Sequence, residues 1–146
     1  MIHEPQLEFK KSIKTSGNNW YRIVHKLGFG GNSVTYLVLG SDGPVNGGLF
    51  ALKLFLKYNN ERRRRRFHKE IKFLKLNNHP SIMGYVDSGA FTIERYIYPF
   101  LIAEYLPKTL LGVIRENQSS FVEKASYVVQ LLSALNHISS LSSPVI

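Results

Sequence analysis

Between residues 20 and 55 the hydrophobic positions fall into three short runs separated by turn-forming residues. Tyr21–Leu27 and Val34–Leu39 are rich in β-branched, aromatic and aliphatic side chains and read as strands. Phe50–Phe55 reads as a third, apolar on both faces apart from Lys53. The stretch from Gly40 to Gly48 between the last two is dense in glycine and turn formers, and reads as a surface loop without chemistry of its own. The period then changes. Phe67, Ile71 and Leu74 recur at i, i+4 and i+7, which is one helical face within Glu61–Leu76. Asn77-Asn78-His79-Pro80 closes that helix, because proline biases the residue before it towards extended backbone. Tyr85-Val86 and the segment to about Tyr98 read as a fourth strand and its return loop, and Phe100–Ala103 as a buried fifth. Thr109–Asn117 reads as a short helix. Ser120-Phe121-Val122-Glu123 then fits a capping box that opens a longer helix to about Ser139. Its stripe of Phe121, Ala125, Val128, Leu132 and Leu135 is widened by Val129, Leu131 and Ile138 beyond what a surface helix of a small domain needs. Ahead of all this, Met1–Asn19 is a polar lead-in with a short apolar contact expected from Leu7, Phe9 and Ile13, closed by the turn cluster Ser16–Asn19.

Length and composition narrow the class without naming a function. A chain of 146 residues, 44% hydrophobic and 20% charged, suits a globular domain with a sizeable core. It shows neither a signal peptide nor a long apolar span, so no membrane partner is expected. The absence of cysteine excludes disulfides, thiolate nucleophiles and cysteine-held metals, and fits a cytoplasmic location. The five histidines have no metal-binding spacing, so no metal ligand is expected. Net charge is +9, yet five of the nineteen basic residues form the run Arg62–Arg66, leaving fourteen against ten acidic residues elsewhere. A nucleic-acid reading must therefore rest on that run. Because the run adjoins a helical pattern, a solvated helix face is the preferred reading over phosphodiester binding. Five consecutive positions sample every side of a helix, and Arg63 would fall over the Phe67 stripe. The regular helix is therefore expected to begin within or just after the run.

The candidate chemistry lies between the first three strands. Leu27-Gly28-Phe29-Gly30-Gly31-Asn32-Ser33 joins strands one and two with glycine at three of four successive positions. Such a loop can take up positive φ and bring backbone N–H groups close to an anion. A dinucleotide-binding loop or Walker-type P-loop would open a helix, whereas a strand follows here. Lys53 is expensive to bury unless it meets a carboxylate or phosphate. Glu70, three residues after Phe67 and four before Leu74, borders the helix stripe and wants a positive partner. Lys53–Glu70 is the simplest joint solution; the alternative is a surface Glu70 paired with Lys69, Lys72 or Arg66. Arg66, four residues before Glu70, is expected to hold it when the helix moves away from the strand.

Taken together, the glycine hairpin, the Ala51-Leu52-Lys53 strand, Glu70, the His79-Pro80-Ser81-Ile82 turn and Glu104-Tyr105-Leu106-Pro107 resemble the N-terminal lobe of eukaryotic-type protein kinases. The likeness runs from about Tyr21 to Ile146. It implies an α+β fold, a five-stranded antiparallel sheet with one main helix followed by the first helices of the C-terminal lobe. The divisions would be 1–19 as an extension, 20–106 as N-lobe and hinge, and 107–146 as the start of the C-lobe. The resemblance implies ATP as ligand, bound by Leu27, Gly28, Phe29, Gly30, Gly31, Asn32, Ser33, Thr35, Ala51, Lys53, Ala103, Glu104 and Leu106. Lys53 and Glu70 form the catalytic ion pair. Ala103 stands as a small gatekeeper with an open back pocket, Glu104 C=O accepts from the adenine amino group, and Leu106 N–H donates to the ring. Two departures stand out: Ser33 replaces a usual glycine, and Thr35 a usual valine. In that family a His-Arg-Asp catalytic loop follows a pair such as Val145-Ile146, with Asp-Phe-Gly beyond. Neither motif occurs, so the chain is expected to be truncated before the catalytic loop and inactive alone, with Mg²⁺ and a protein (Ser/Thr) substrate belonging to the complete enzyme. A non-catalytic kinase-like scaffold is the alternative, and a basic nucleic-acid module a weaker one. The apolar helix 120–139 is expected to promote self-association.

Overall fold

The computed structural model describes residues 11–57, 59–93, 95–116 and 119–141. The contacts expected of Leu7 and Phe9, the end of the short helix at Asn117 and the Val145-Ile146 pair lie outside them. The elements run β1 (Ser12–Lys14), β2 (Trp20–Phe29), β3 (Ser33–Gly40), β4 (Leu49–Phe55), α1 (Glu61–Leu76), β5 (Tyr85–Ile93), β6 (Tyr96–Glu104), α2 (Leu110–Glu116) and α3 (Phe121–Ser140). The sheet has six antiparallel strands in the order β1-β2-β3-β4-β6-β5, one more than the sequence pattern predicts. The extra strand is β1, whose Ile13 is fully buried between exposed Ser12 and Lys14. One apolar residue flanked by lysines leaves almost no periodic signal, and that composition suits a short edge strand.

β1 and β5 are the two edges, and the turn after β1 brings them together. Ser16 N–H donates to Ser88 C=O at 3.0 Å. Asp87, buried on β5, accepts from the Thr15 hydroxyl, from Asn19 Nδ2 at 2.9 Å, from Gly17 N at 3.3 Å and from Ser88 N at 2.7 Å. A buried carboxylate is tolerable only when its lone pairs are occupied in this way. A Cβ on Gly17 would lie 2.7 Å from Asp87 Oδ2, so only glycine lets the turn approach so closely. Asn18 supplies the left-handed residue of this turn, with φ of 64°. Burial, with the Asp87 charge nearby, pushes the Tyr21 phenol up to about 12.

The two faces of the sheet are covered differently. On one, Tyr21 and Ile23 of β2, Val34, Tyr36 and Val38 of β3, Leu52 and Leu54 of β4, and Tyr98, Phe100 and Ile102 of β6 close on one another and on Ile13. On the other, α1 packs Phe67 and Leu74 against Phe55 and Leu101. The Phe55 and Phe67 rings stack with centroids 5.1 Å apart.

α1 begins at Glu61, before the arginine run, and corrects the expectation of a later start. The cap decides the matter: Asn60 Oδ1 accepts from Arg63 N at 3.0 Å and fixes the first turn. All five arginines are exposed, Phe67 being the first buried residue of the helix, and Arg65 pairs with Glu61. The Gly40–Gly48 connection carries a 3₁₀ turn, Gly43–Val45, capped by Asp42. In α3 the capping box is present: Ser120 Oγ accepts from Glu123 N at 3.2 Å, and Glu123 Oε2 from Ser120 N at 2.7 Å. No residue of α3 is buried. It meets the rest of the chain at the His-Pro turn, where the His79 and His137 rings stack 4.8 Å apart and Ser133 Oγ lies 3.3 Å from His79 Nε2.

Candidate functional site

Strand register places the candidate residues. Cross-strand partners in an antiparallel sheet share a face. Thr35 faces Lys53, Leu37 faces Ala51, Ala51 faces Ala103 and Lys53 faces Leu101, so Thr35, Ala51, Lys53 and Ala103 all lie on the α1 side of the sheet. Two alanines side by side leave a low, flat floor there. Ala103 is buried, with Tyr85 of β5 as its partner on the other side.

The glycine hairpin forms the lip of this floor, and it is tighter than its sequence suggests. β2 runs through Phe29, leaving Gly30, Gly31 and Asn32 as the loop, closed by Gly30 N–H donating to Ser33 C=O at 2.8 Å. The pairing slips between Lys26 and Gly28, so Leu27 is an extra residue that bends β2 as it enters the turn. None of Gly28, Gly30 and Gly31 uses the positive φ that glycine permits; in the described residues the positive-φ glycines are Gly43 and Gly47. A Cβ at Gly28 or Gly31 would meet nothing within 4 Å. What these glycines provide is therefore bare backbone beside open space.

Lys53 reaches across from β4 to α1. Its Nζ lies 2.6 Å from Glu70 Oε1 and 5.9 Å from the centre of the Phe67 ring. The side chains are 34% and 36% exposed, so the lysine is not sunk in an apolar core as its strand context predicts. An ion pair that wet contributes on the order of 1 kcal/mol or less to stability. It fixes where the ammonium points and leaves it open to a ligand.

That opening is a cleft of about 390 Å³ between hairpin and helix, bounded by Gly31, Asn32 and Ser33, by Lys53 and Phe55, and by Arg63, Arg66, Phe67 and Glu70. Arg63 Nη1 donates to Asn32 Oδ1 at 2.7 Å, tying the helix to the hairpin tip. Asn32 is held from behind as well, its C=O accepting from Leu56 N at 2.8 Å. A larger groove of about 870 Å³ follows α1 past Arg62, Arg65 and Lys69; it shares Arg66 and Glu70 with the cleft but touches neither the hairpin nor Lys53.

The cleft unites five of the sequence-predicted residues: Gly31, Asn32, Ser33, Lys53 and Glu70. Thr35, Ala51 and Ala103 continue its floor by register. Leu27 and Phe29 expose their side chains, and Glu104 and Leu106 are exposed where β6 ends. Arg63 and Arg66 were not among the predicted binding residues. Their signal was present, because Arg63, Arg66, Phe67 and Glu70 stand at i, i+3, i+4 and i+7 on one helix face.

No family model and no curated protein matches the chain. A solved structure of vaccinia-related kinase 3 superposes with a TM-score of 0.60, over 93% of this chain and 43% of that one, at 17% identity. The chain thus spans less than half the length of that protein. At such identity the likeness is one of fold: antiparallel sheet, crossing helix and following helices are those of a kinase-like module, with six strands here.

Proposed function

We propose that this chain binds ATP in the cleft between the glycine hairpin and α1, as the nucleotide-binding part of a Ser/Thr-type protein kinase. The observation that carries the reading is the Lys53–Glu70 contact of 2.6 Å, made in the cleft that the hairpin bounds. Catalysis of phosphoryl transfer is largely positioning and charge neutralisation. Lys53 supplies a cation to the α- and β-phosphates, and Glu70 holds it on that bearing. Bare backbone at Gly28 and Gly31 leaves room for phosphate oxygens to approach N–H groups. Thr35, Ala51 and Ala103 give the adenine a surface without protruding side chains, and the Glu104–Leu106 backbone is the edge along which it hydrogen-bonds. In a kinase of this fold the γ-phosphate passes to a protein hydroxyl; the residues named here bind and orient the donor. Mg²⁺ belongs to that complete reaction, and among the described residues no three His, Asp or Glu side chains converge on a metal position. Nor is any described helix long and apolar enough to cross a membrane.

Titration calorimetry with ATP tests the reading. Lys53→Met should weaken binding about tenfold, a loss of ~1.4 kcal/mol. Undiminished affinity in that variant removes Lys53 from the site and the reading with it. Turnover by the chain, if seen, would set aside the expectation that it is inactive alone.

A further inference from the structure

We infer that Arg63 and Arg66 form a second, terminal-phosphate subsite of the same cleft, selecting a nucleoside triphosphate over a diphosphate. The inference rests on the nucleotide reading above, and its test separates the two.

The cleft carries more positive than negative charge. Among the described residues Glu70 is its only carboxylate, and its contact is with Lys53. Among the described residues neither Arg63 nor Arg66 has a carboxylate within 4.0 Å; Arg63 donates to the neutral Asn32 amide instead. Arg65, one position from each turn of that face, shows the contrast: it points away and pairs with Glu61. Two guanidiniums beside an already paired ammonium repel one another, and a polyanion is the species that removes the repulsion. Guanidinium suits the task, because its planar fork meets two phosphate oxygens at once.

Placement gives the order of contacts. Glu70 and Arg63 are seven residues apart, about 10 Å along the helix, with Arg66 between them. Lys53 marks the inner end of the cleft and the Arg63–Asn32 bond the end at the hairpin tip. Phosphates near the nucleoside meet Lys53, and the terminal phosphate meets Arg66 and Arg63. Asn32, whose side chain occupies Arg63 here, is then the group the phosphate displaces. In this arrangement Glu70 is engaged by Lys53, which leaves Arg63 and Arg66 to the cleft.

The full chain, Arg63→Gln, Arg66→Gln, the double variant and Arg65→Gln would be titrated with ATP, ADP, inorganic tripolyphosphate and a short oligoribonucleotide lacking a terminal triphosphate. The starting protein should prefer ATP to ADP, and tripolyphosphate should compete with ATP. In the double variant the ATP preference should fall about tenfold while ADP affinity holds, and Arg65→Gln should change neither. All substituted positions are exposed; thermal melts matching the starting protein confirm that the fold is kept. An ATP preference unchanged in the double variant overturns the subsite and leaves the nucleotide reading standing. So does a rise in affinity for Arg66→Gln, which would return Arg66 to the role of a competing partner for Glu70. If tripolyphosphate binds through Arg63 and Arg66 but ATP binds no better than tripolyphosphate, the phosphate subsite stands and the adenine site falls. Equal competition by the oligoribonucleotide, lost also in Arg65→Gln, overturns both in favour of a phosphodiester-binding helix face.

Discussion

α1 and α3 are both regular, capped helices, yet burial treats them in opposite ways. α1 is mostly charged, and still seats Phe67 and Leu74 in a core with Phe55 and Leu101. α3 carries far more apolar surface and fully buries no residue: Phe121 is 84% exposed and Leu132 60%, with Tyr127, Ala134 and Ile138 half-buried. Composition does not decide which helix is packed. A facing surface does, and for α1 the sheet supplies one. Every apolar side chain left in water forgoes roughly 25 cal/mol per Å² of its surface, so α3 is held by its own hydrogen bonds, its capping box and the contacts at His79.

The sharpest way to break that contrast is to truncate one side chain from each helix. Phe67→Ala removes a stacked ring and should cost about 3–5 kcal/mol, whereas Leu132→Ala should stay within about 0.5 kcal/mol. Urea unfolding of the two variants measures both; a comparable loss at Leu132 would mean that α3 is packed in solution.

A smaller effect concerns what α3 does with its free face. Exposed apolar patches promote association, so sedimentation should reveal concentration-dependent assembly. Val128→Ser, Leu132→Ser and Leu135→Ser together should weaken it by about tenfold or more. A chain that stays monomeric at high concentration removes α3 as a sticky surface.

The smallest effect is local to the start of α3. Ser120→Ala should cost about 1 kcal/mol of that helix's stability, read as faster amide exchange across residues 121–124 with α1 unaffected. The Ser120 backbone N–H, and after it the Ser120 hydroxyl, hold the Glu123 carboxyl below its ordinary value of 4.5. A carboxyl depressed in the folded state stabilises above its unfolded pKa and stops doing so as pH falls through the folded one. Protection in the first turn, measured against the intrinsic exchange rate, should therefore fall below about pH 4.5, and Glu123→Gln should erase that dependence.

What was legible in the sequence was whatever local periodicity determines. The 3.6-residue spacing of α1 puts Glu70 beside the buried stripe, and with the glycine hairpin it singles out Lys53 as partner; the capping box is written in four residues. The start of α1 was not legible. It turned on a single hydrogen bond from Asn60, and on Arg63 having somewhere to go: over the core stripe and out to Asn32. β1 was hidden because one isoleucine among lysines carries no period. The backbone angles of the glycine hairpin were not legible for a related reason. Glycine permits positive φ without requiring it, and the slip at Leu27 bends the strand enough to make the turn. Asp87 and Gly17 lie seventy residues apart, and only the folded sheet reveals that each needs the other.

The join between Ser16, Asp87 and the outermost strands has a consequence for how copies of this chain could meet. Where the two margins are tied, by Ser16 N–H to Ser88 C=O and by the bonds to Asp87, a neighbouring strand has less room to add on. Assemblies should consequently grow by helix-to-helix contact and gain no cross-β signature, their infrared amide bands remaining those of the single chain.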